Sequence, residues 1–259
     1  MTLTLTTDGR GVATLTLNRP EKHNALSEAL MVALTEAALE IGARDDIRVV
    51  VLAAEGPSFC AGGDLQWMMD QIKADRETRR AGAYRLAGML EALNTLPKPL
   101  IGKVHGNAFG GGIGLACVCD VAIGVTGARF GLTETKLGLV PATIGPYVAA
   151  RMGAAAARQV FMSSRVFEAG DAVRLGVIAK AVAPADLDAA IAAEVAPYLA
   201  CAPKAVSAAK MMLRDLGTPI TPDDIARSVE ALLDIWGGDE ARQGLSAFLN
   251  KTLPPWAQG

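Results

Sequence analysis

Hydrophobic positions recur with a period of two in the first part of the chain. Residues 3–7 and 12–18 alternate apolar and hydroxyl side chains on either side of Asp8-Gly9, which predicts a β-hairpin. The run Val49-Val50-Val51-Leu52 is apolar throughout, as expected of a strand that is buried on both faces. The segments 100–104 and 121–125 are predicted as two further strands.

Helical spacing dominates the rest of the pattern. Ser27 can cap a helix with an apolar face, and a polar, arginine-rich helical region is predicted over 65–95. Beyond Gly153 strand signals almost vanish, and six helices are predicted there: 154–163, 168–175, 186–200, 203–216, 221–236 and 239–250. The pattern therefore predicts a strand-containing core over 1–195 and a helical C-terminal region over 196–259.

Length and charge narrow the class of protein. At about 150 residues per domain, 259 residues allow one large domain or one domain with a small appendage. The 25 Lys and Arg residues against 27 Asp and Glu residues give a net charge of -2, which leaves no basic excess for nucleic acid or an anionic membrane. The N-terminal segment has neither the basic nor the apolar region of a signal peptide, so a cytoplasmic location is expected.

The cysteines and histidines do not indicate a metal site. Four cysteines (Cys60, Cys117, Cys119 and Cys201) form no CxxC pair, and the two histidines lie far apart in the sequence. A zinc site would need a denser set of these side chains. We interpret the cysteines as small buried hydrophobic residues in a reducing compartment, and no metal is expected.

Two glycine-rich turns each connect a predicted strand to a predicted helix. The first is Cys60-Ala61-Gly62-Gly63-Asp64, and the second is Gly110-Gly111-Gly112-Ile113-Gly114. Such turns expose backbone N–H groups at a helix N-terminus, and two of them converging would make an oxyanion hole from main chain alone. Glycines at turns also serve left-handed backbone or close packing. A phosphate loop is conceivable, although neither GxxxxGK[ST] nor GxGxxG with a later acid is present.

Five short segments carry a more specific signal when they are taken together in chain order. They are Leu17-Asn18-Arg19-Pro20 with Asn24-Ala25-Leu26, Phe59-Cys60-Ala61-Gly62-Gly63-Asp64-Leu65, Gly110-Gly111-Gly112, Cys119-Asp120, and Phe130-Gly131-Leu132-Thr133-Glu134-Thr135-Lys136-Leu137-Gly138. Over nearly the whole chain this set resembles the crotonase (enoyl-CoA hydratase/isomerase) superfamily. The resemblance implies an α/β fold, a crotonase-like spiral of repeated β-β-α units with a helical C-terminal trimerisation region. It also implies an enzyme that acts on an acyl-CoA.

The resemblance assigns catalytic roles position by position. Gly63 and Gly111 match the two residues whose N–H groups bind the thioester oxygen, where negative charge develops as an enolate forms. Glu134 matches the family's second catalytic glutamate. The family's first catalytic glutamate falls on Gly114, so this chain keeps one of the two hydratase acids.

Coenzyme A is expected to be part of the substrate, with no separate cofactor. Lys22 is placed to meet its phosphates, although a solvated surface lysine is the other interpretation. The positions that match the adenine pocket of the family are Ala25, Ala61, Asp64 and Leu65. Lys251 resembles the lysine of a C-terminal F-x-x-K motif that reaches the CoA phosphates of a neighbouring subunit. The resemblance thus implies a homotrimer or a hexamer.

Three functions stay open at this point. Residues 107–116 and 132–142 look most like bacterial methylglutaconyl-CoA hydratases of leucine or isoprenoid breakdown, in which the first glutamate also tends to be missing. Under that hypothesis an arginine of the 76–85 stretch holds the distal carboxylate of the substrate. A single base also suits a Δ3-Δ2 enoyl-CoA isomerase. The third function, non-catalytic acyl-CoA binding, is disfavoured by the retained Glu134 and both turns.

Overall fold

Two sheets form the framework of the computed structural model, which describes residues 1–258. The larger sheet has six strands, in the order β1 (Leu3–Thr7), β2 (Val12–Leu17), β3 (Val49–Ala54), β5 (Leu100–Val104), β7 (Val121–Val125) and β10 (Lys180–Val182). The smaller sheet has four, in the order β4 (Ser58–Cys60), β6 (Asn107–Phe109), β8 (Arg129–Gly131) and β9 (Val166–Glu168).

Ten α-helices accompany the sheets. They are α1 (Glu28–Ala43), α2 (Leu65–Lys73), α3 (Arg76–Asn94), α4 (Gly111–Val118), α5 (Gly145–Ala157), α6 (Ala169–Arg174), α7 (Leu187–Leu199), α8 (Pro203–Leu216), α9 (Pro222–Trp236) and α10 (Asp239–Leu249) within residues 1–258. After the first hairpin, each of the next three turns of the chain adds one strand to the larger sheet, one to the smaller sheet, and then helix, while the last turn runs from β9 of the smaller sheet through α6 to β10 of the larger sheet. This repeat is the β-β-α spiral, so the predicted fold class is confirmed.

The five predicted strands all form in the larger sheet, whereas β4 and β6 of the smaller sheet were not predicted. The antiparallel β1–β2 hairpin pairs Leu3 with Leu17, and the next strands of the larger sheet run parallel from β2 onward. Strand β3 is almost entirely buried, as its unbroken apolar run indicates. Ser27 caps α1, with its hydroxyl oxygen accepting the Leu30 N–H at 3.4 Å.

Three predictions of secondary structure need correction. The region 65–95 is two helices rather than one, because the Asp75 carboxylate accepts the Thr78 N–H at 2.7 Å and starts α3. The helix predicted over 154–163 is the end of α5, which begins at Gly145 and changes direction at Gly153 (φ 72°). Strands β9 and β10 lie beyond Gly153, where the sequence carries almost no strand signal. They have three residues each, too few for an alternating pattern.

The C-terminal helices pack against the core of their own chain. Helix α9 lies along α3, and α10 contacts both α2 and the short 3-10 turn Glu134–Leu137. Helix α8 leaves large apolar side chains in solvent, with Leu213 and Leu216 67% and 74% exposed. The division into 1–195 and 196–259 stays a prediction.

The cysteines behave as predicted at three of four positions. Cys60, Cys117 and Cys119 are buried and unpaired, and burial raises the pKa of each thiol to about 12. The prediction of a buried residue is wrong for Cys201, which is exposed just after the end of α7.

None of the single helices in residues 1–258 is long and apolar enough to cross a membrane. Pro184–Leu199 and Pro203–Leu216 reach that length and composition only when both are counted together, and they meet at a bend of 104°.

Candidate active site

The two glycine-rich turns contact each other. Gly62 has a left-handed φ of 96°, and a Cβ atom added to it would stand 3.1 Å from the Phe109 carbonyl oxygen. A Cβ added to Gly111 would stand 3.7 Å from the Gly62 Cα. Two hydrogen bonds fix the first turn, from Leu26 N–H to the Gly62 oxygen (2.7 Å) and from Asp64 N–H to the Leu26 oxygen (3.0 Å). The structure therefore brings the two predicted turns together.

The second turn admits no side chain at three consecutive positions, each for its own reason. Gly110 has a left-handed φ of 49°, and its added Cβ would stand 2.9 Å from the Glu134 Oε1. An added Cβ on Gly111 would stand 2.5 Å from the Leu26 Cδ1, and one on Gly112 would collide with the Cys60 carbonyl oxygen. The triple glycine thus lets β4, the first turn and α4 approach one another.

Backbone donors of both turns are left free by the fold. Within residues 1–258 the Gly63 N–H donates to no protein acceptor. The Gly111 N–H belongs to the first turn of α4, where no helical acceptor exists, and no side chain caps this helix. Free N–H groups at a helix N-terminus suit a developing negative charge.

Glu134 presents its carboxylate to the second turn. It begins the 3-10 turn that follows β8, and its Oε1 lies against Gly110 while its Oε2 is buried without a partner. Burial raises the pKa of Glu134 from its ordinary value of 4.5 to about 7, opposed by a hydrogen bond from its own backbone N–H. The carboxyl group can therefore both accept and give a proton near neutral pH.

The position of the missing acid, Gly114, is closed by apolar side chains. Gly114 stands one turn along α4 from Gly110, on the same face of the helix. A Cβ added to Gly114 would stand 2.5 Å from Ile144 Cγ2 and 3.6 Å from Leu90 Cδ2, and both of these side chains are buried. Ile144 is the site residue that sequence reasoning missed, since nothing local in the sequence connects it to Gly114.

The residues predicted to meet CoA lie around the first turn. Lys22 is exposed at the end of the 3-10 turn Pro20–Lys22. Ala25 is buried beside Leu26, Ala61 is exposed with its N–H bonded to the His23 oxygen (3.0 Å), and Leu65 is partly buried at the start of α2. Their contact with CoA stays a prediction.

Asp64 stabilises the local fold, whether or not it contacts the substrate. Its carboxylate caps α2 by accepting the Gln66 and Trp67 N–H groups at 3.0 and 3.3 Å, and it pairs with Arg19 at 2.9 Å. Burial works against the charge, but the Arg19 guanidinium and the backbone donors hold the pKa of Asp64 below its ordinary value. Asp64 therefore holds the first turn to the start of α2.

Lys251 lies exposed beyond the end of α10, with a left-handed φ of 53°. It follows the helix that packs on the Glu134 turn of the same chain. Its predicted reach into a neighbouring subunit stays a prediction.

Three of the four arginines of the 76–85 stretch form salt bridges with carboxylates of the same chain. Arg76 and Arg80 pair with Glu230 of α9 at 2.8 and 2.9 Å, and Arg85 pairs with Glu28 at 3.1 Å. Arg79 donates only to the Ala74 carbonyl oxygen within the described chain. Arg79 is thus the arginine of this stretch without a carboxylate partner in the described chain, and the hypothesis of a distal carboxylate held here stays a prediction.

Comparison with known proteins identifies relatives over nearly the whole chain. Residues 7–259 match the family model for enoyl-CoA hydratase/isomerase. The 2,3-dehydroadipyl-CoA hydratase of Escherichia coli K12 is 35% identical over 94% of each chain, and a putative enoyl-CoA hydratase of Thermus thermophilus is 31% identical over 94% of this chain and 96% of its own.

Solved structures extend the agreement to the fold. An enoyl-CoA hydratase from Mycobacterium avium superimposes with a TM-score of 0.89 at 31% identity, over 99% of both chains. Pseudomonas aeruginosa AtuE gives a TM-score of 0.81 at 35% identity over 100% of both chains. With its spiral fold, its paired glycine turns and a family match from residue 7 onward, the chain belongs to the enoyl-CoA hydratase/isomerase family of the crotonase superfamily.

Proposed function

We propose that the protein hydrates a 2-enoyl-CoA, with Glu134 as the only side-chain acid and base. The observation that carries the proposal is the position of the Glu134 carboxylate, buried against the second glycine turn with an unpartnered Oε2. A pKa of about 7 suits a group that takes and returns a proton within one turnover. The free N–H groups of Gly63 and Gly111 supply the oxyanion donors.

The proton balance closes with one carboxylate. Glu134 accepts a proton from water while the water oxygen bonds to the β-carbon and the π electrons move onto the thioester oxygen. The two N–H donors stabilise that enolate, and such a donor is typically worth about 3 kcal/mol. Glu134 then gives its proton to the α-carbon as the enolate collapses, which restores the starting state of the enzyme.

The acyl group that we favour carries a second carboxylate, as in methylglutaconyl-CoA. The E. coli relative is named for 2,3-dehydroadipyl-CoA, whose acyl group also ends in a carboxylate. Arg79, which has no carboxylate partner in the described chain, supports the same choice.

Δ3-Δ2 enoyl-CoA isomerisation is the second candidate. The observation that favours it is the apolar contact of Gly114 with Ile144 and Leu90, since no second polar side chain stands on that face of α4 to hold a water. In isomerisation Glu134 would move one proton from the α-carbon to the γ-carbon, and no water would be needed.

Turnover of three thioesters by wild type and Glu134→Gln tests the proposal. We expect hydration of glutaconyl-CoA and, more slowly, of crotonyl-CoA, with kcat/KM rising through pH 7 as Glu134 ionises. The amide cannot exchange a proton, so Glu134→Gln should lose roughly 10²- to 10⁴-fold in kcat. CoA binding should stay unchanged.

The same panel separates the alternatives. Conversion of 3-hexenoyl-CoA without hydration of either 2-enoyl thioester would make the isomerase the better answer. Unchanged turnover of every thioester by Glu134→Gln would remove Glu134 from the chemistry, and binding of the thioesters without turnover by wild type would point to the binding function.

We further propose that CoA binds beside the first turn, in contact with Lys22, Ala25, Ala61, Asp64 and Leu65. We also propose that the protein assembles as a trimer or hexamer, in which Lys251 reaches the CoA bound to a neighbouring subunit. The position of the first five around one turn supports the CoA site, and the exposed apolar side chains of α8 support an assembly.

A further inference from the structure

Three buried polar atoms near the first turn have no hydrogen-bond partner. They are the Nε1 of Trp67, the Oε1 of Gln71 and the Nε1 of Trp236, on side chains that are only 7%, 6% and 2% exposed. Folded proteins leave few buried polar groups unpaired, because each loses its hydrogen bonds to water without replacement. Three of them in one region indicate a polar ligand.

The three side chains form one cluster that adjoins the oxyanion turn. Trp67 and Gln71 stand one turn apart on the same face of α2. The Trp67 and Trp236 rings pack edge to face, with centroids 5.3 Å apart. A Cβ added to Gly63 would stand 3.9 Å from the Trp67 Cζ3, on the ring edge away from the indole nitrogen. The Trp67 ring therefore spans from the Gly63 turn to α9.

A glycine inside α3 makes room for the Gln71 amide. A Cβ added to Gly82 would stand 2.6 Å from the Gln71 Oε1 and 3.0 Å from its Cδ. Glycine in a helix interior is less stable than alanine, and an unpaired buried amide is unfavourable as well. The fold therefore carries two local destabilising features at this amide, the glycine inside α3 and the unpaired Oε1. Such local conflicts are typical of functional sites.

Arg79 brings a positive charge to the same cluster. It stands one turn before Gly82 on the same face of α3. Its Nε and Nη2 donate to the Ala74 oxygen at 3.1 and 2.8 Å, while its Nη1 would lie 3.2 Å from a Cβ added to Gly237, the residue after Trp236. The cluster thus combines two indole donors, an amide and a cation.

We propose that Trp67, Gln71, Trp236 and Arg79 form a subsite for a carboxylate at the far end of the acyl chain. The indole N–H groups and Arg79 donate to it, and the Gln71 amide presents its NH₂ after a half-turn about its last, soft torsion. This inference rests on the proposed function, which places the thioester at Gly63 and Gly111. A neutral acyl chain leaves the donors unpaired, so the subsite selects for the carboxylate.

Binding of two saturated analogues tests the subsite without any turnover. Glutaryl-CoA carries the terminal carboxylate and butyryl-CoA does not. We expect Arg79→Gln to raise the Kd for glutaryl-CoA, measured by calorimetry, roughly 10- to 100-fold. The Kd for butyryl-CoA should stay within about twofold of the wild-type value. Arg80→Gln is the matched control, since Arg80 lies next in the chain but pairs with Glu230, and it should change neither Kd. Equal effects of the two variants would overturn the subsite.

Two near-isosteric variants separate recognition from packing. Trp236→Phe and Gln71→Leu remove the unpaired groups and keep most of the side-chain volume. We expect each to lower glutaryl-CoA affinity about 10-fold while the melting temperature stays equal or rises, because an unpaired buried group is removed. A lower melting temperature with parallel losses for both analogues would assign the cluster to the fold alone and overturn the proposal.

The two proposals fail in different experiments. If Glu134→Gln retains full turnover of every thioester, the proposed reaction is wrong, whatever the analogues bind. If Glu134 is required for crotonyl-CoA but Arg79→Gln binds glutaryl-CoA as wild type does, only the carboxylate subsite is wrong.

Discussion

At the scale of a single residue, the burial of the Glu134 carboxylate suits the proposed proton transfer and destabilises the fold at neutral pH. Its pKa rises from the ordinary value of 4.5 to about 7, so the folded protein holds a proton that the unfolded chain releases. Stability from this group is therefore greatest below pH 4.5, falls as the pH rises toward 7, and stays low above it.

We predict that Glu134→Gln stabilises the protein at pH 8 and not at pH 4.5. The amide keeps the shape and removes the charge, so the gain in the free energy of unfolding should approach about 3 kcal/mol at pH 8. Denaturant titrations at the two pH values measure it. Glu36→Gln, an exposed position on α1, is the control and should show no such difference. Equal stability of wild type and Glu134→Gln at pH 8 would contradict the prediction.

At the scale of an element, α4 shows what a sequence pattern can and cannot predict. Its glycines predict a close approach of backbone, and Gly110, Gly111 and Gly112 do lie against Glu134, Leu26 and Cys60. The reason for Gly114 was not predictable, because Ile144 meets it through the turn before α5, thirty positions later in the sequence. Contacts of this kind leave no local periodicity.

We predict that Gly114→Glu is disruptive by itself and is tolerated better with Ile144→Gly. The new Cβ would stand 2.5 Å from the Ile144 side chain, and overpacking of this kind typically costs 1–3 kcal/mol, so about 2 kcal/mol is expected. Removing Ile144 makes room for the carboxylate, which can then hold a water beside Glu134. The double variant should hydrate crotonyl-CoA faster than Gly114→Glu alone.

A double-mutant cycle of unfolding free energies measures the coupling between positions 114 and 144. Ile144→Gly alone is the control and should be destabilised by the cavity. A Gly114→Glu variant as stable as wild type, or strictly additive effects, would show that Ile144 does not fill the place of the missing acid.

At the scale of the whole molecule, the sequence predicted the parts better than their assembly. Strands β3, β5 and β7 have five or six mostly apolar residues and were predicted, whereas β4, β6 and β8 have three residues each and carry no alternation. The switch of the chain between two sheets therefore has no local signal. The spiral was predicted only from the resemblance of motifs to a known family. The proximity of the two indoles and Gln71 was not predicted and is seen only in the folded chain.

We predict a trimer or a multiple of three in solution, with α8 at the contact between subunits. Leu213→Glu with Leu216→Glu places two charges on its exposed apolar face and should dissociate the assembly. Analytical ultracentrifugation measures the mass. Leu39→Glu, 65% exposed on α1, is the matched control and should leave the mass unchanged. A monomeric wild type would contradict the prediction.

Because α10 packs on the Glu134 turn, the parts of the site become available in a fixed order while the chain is synthesised. Gly138 lies against the Glu240 carbonyl, and Gly244 lies against the Leu137 carbonyl, so helix and turn meet backbone to backbone. Both glycine turns leave the ribosome more than a hundred residues before α10 does. A nascent chain can therefore form the two glycine turns early, while the turn that holds Glu134, the proposed acid, gains its packing partner last. Premature termination before residue 239 would leave a spiral that has both glycine turns and a Glu134 turn without α10 against it.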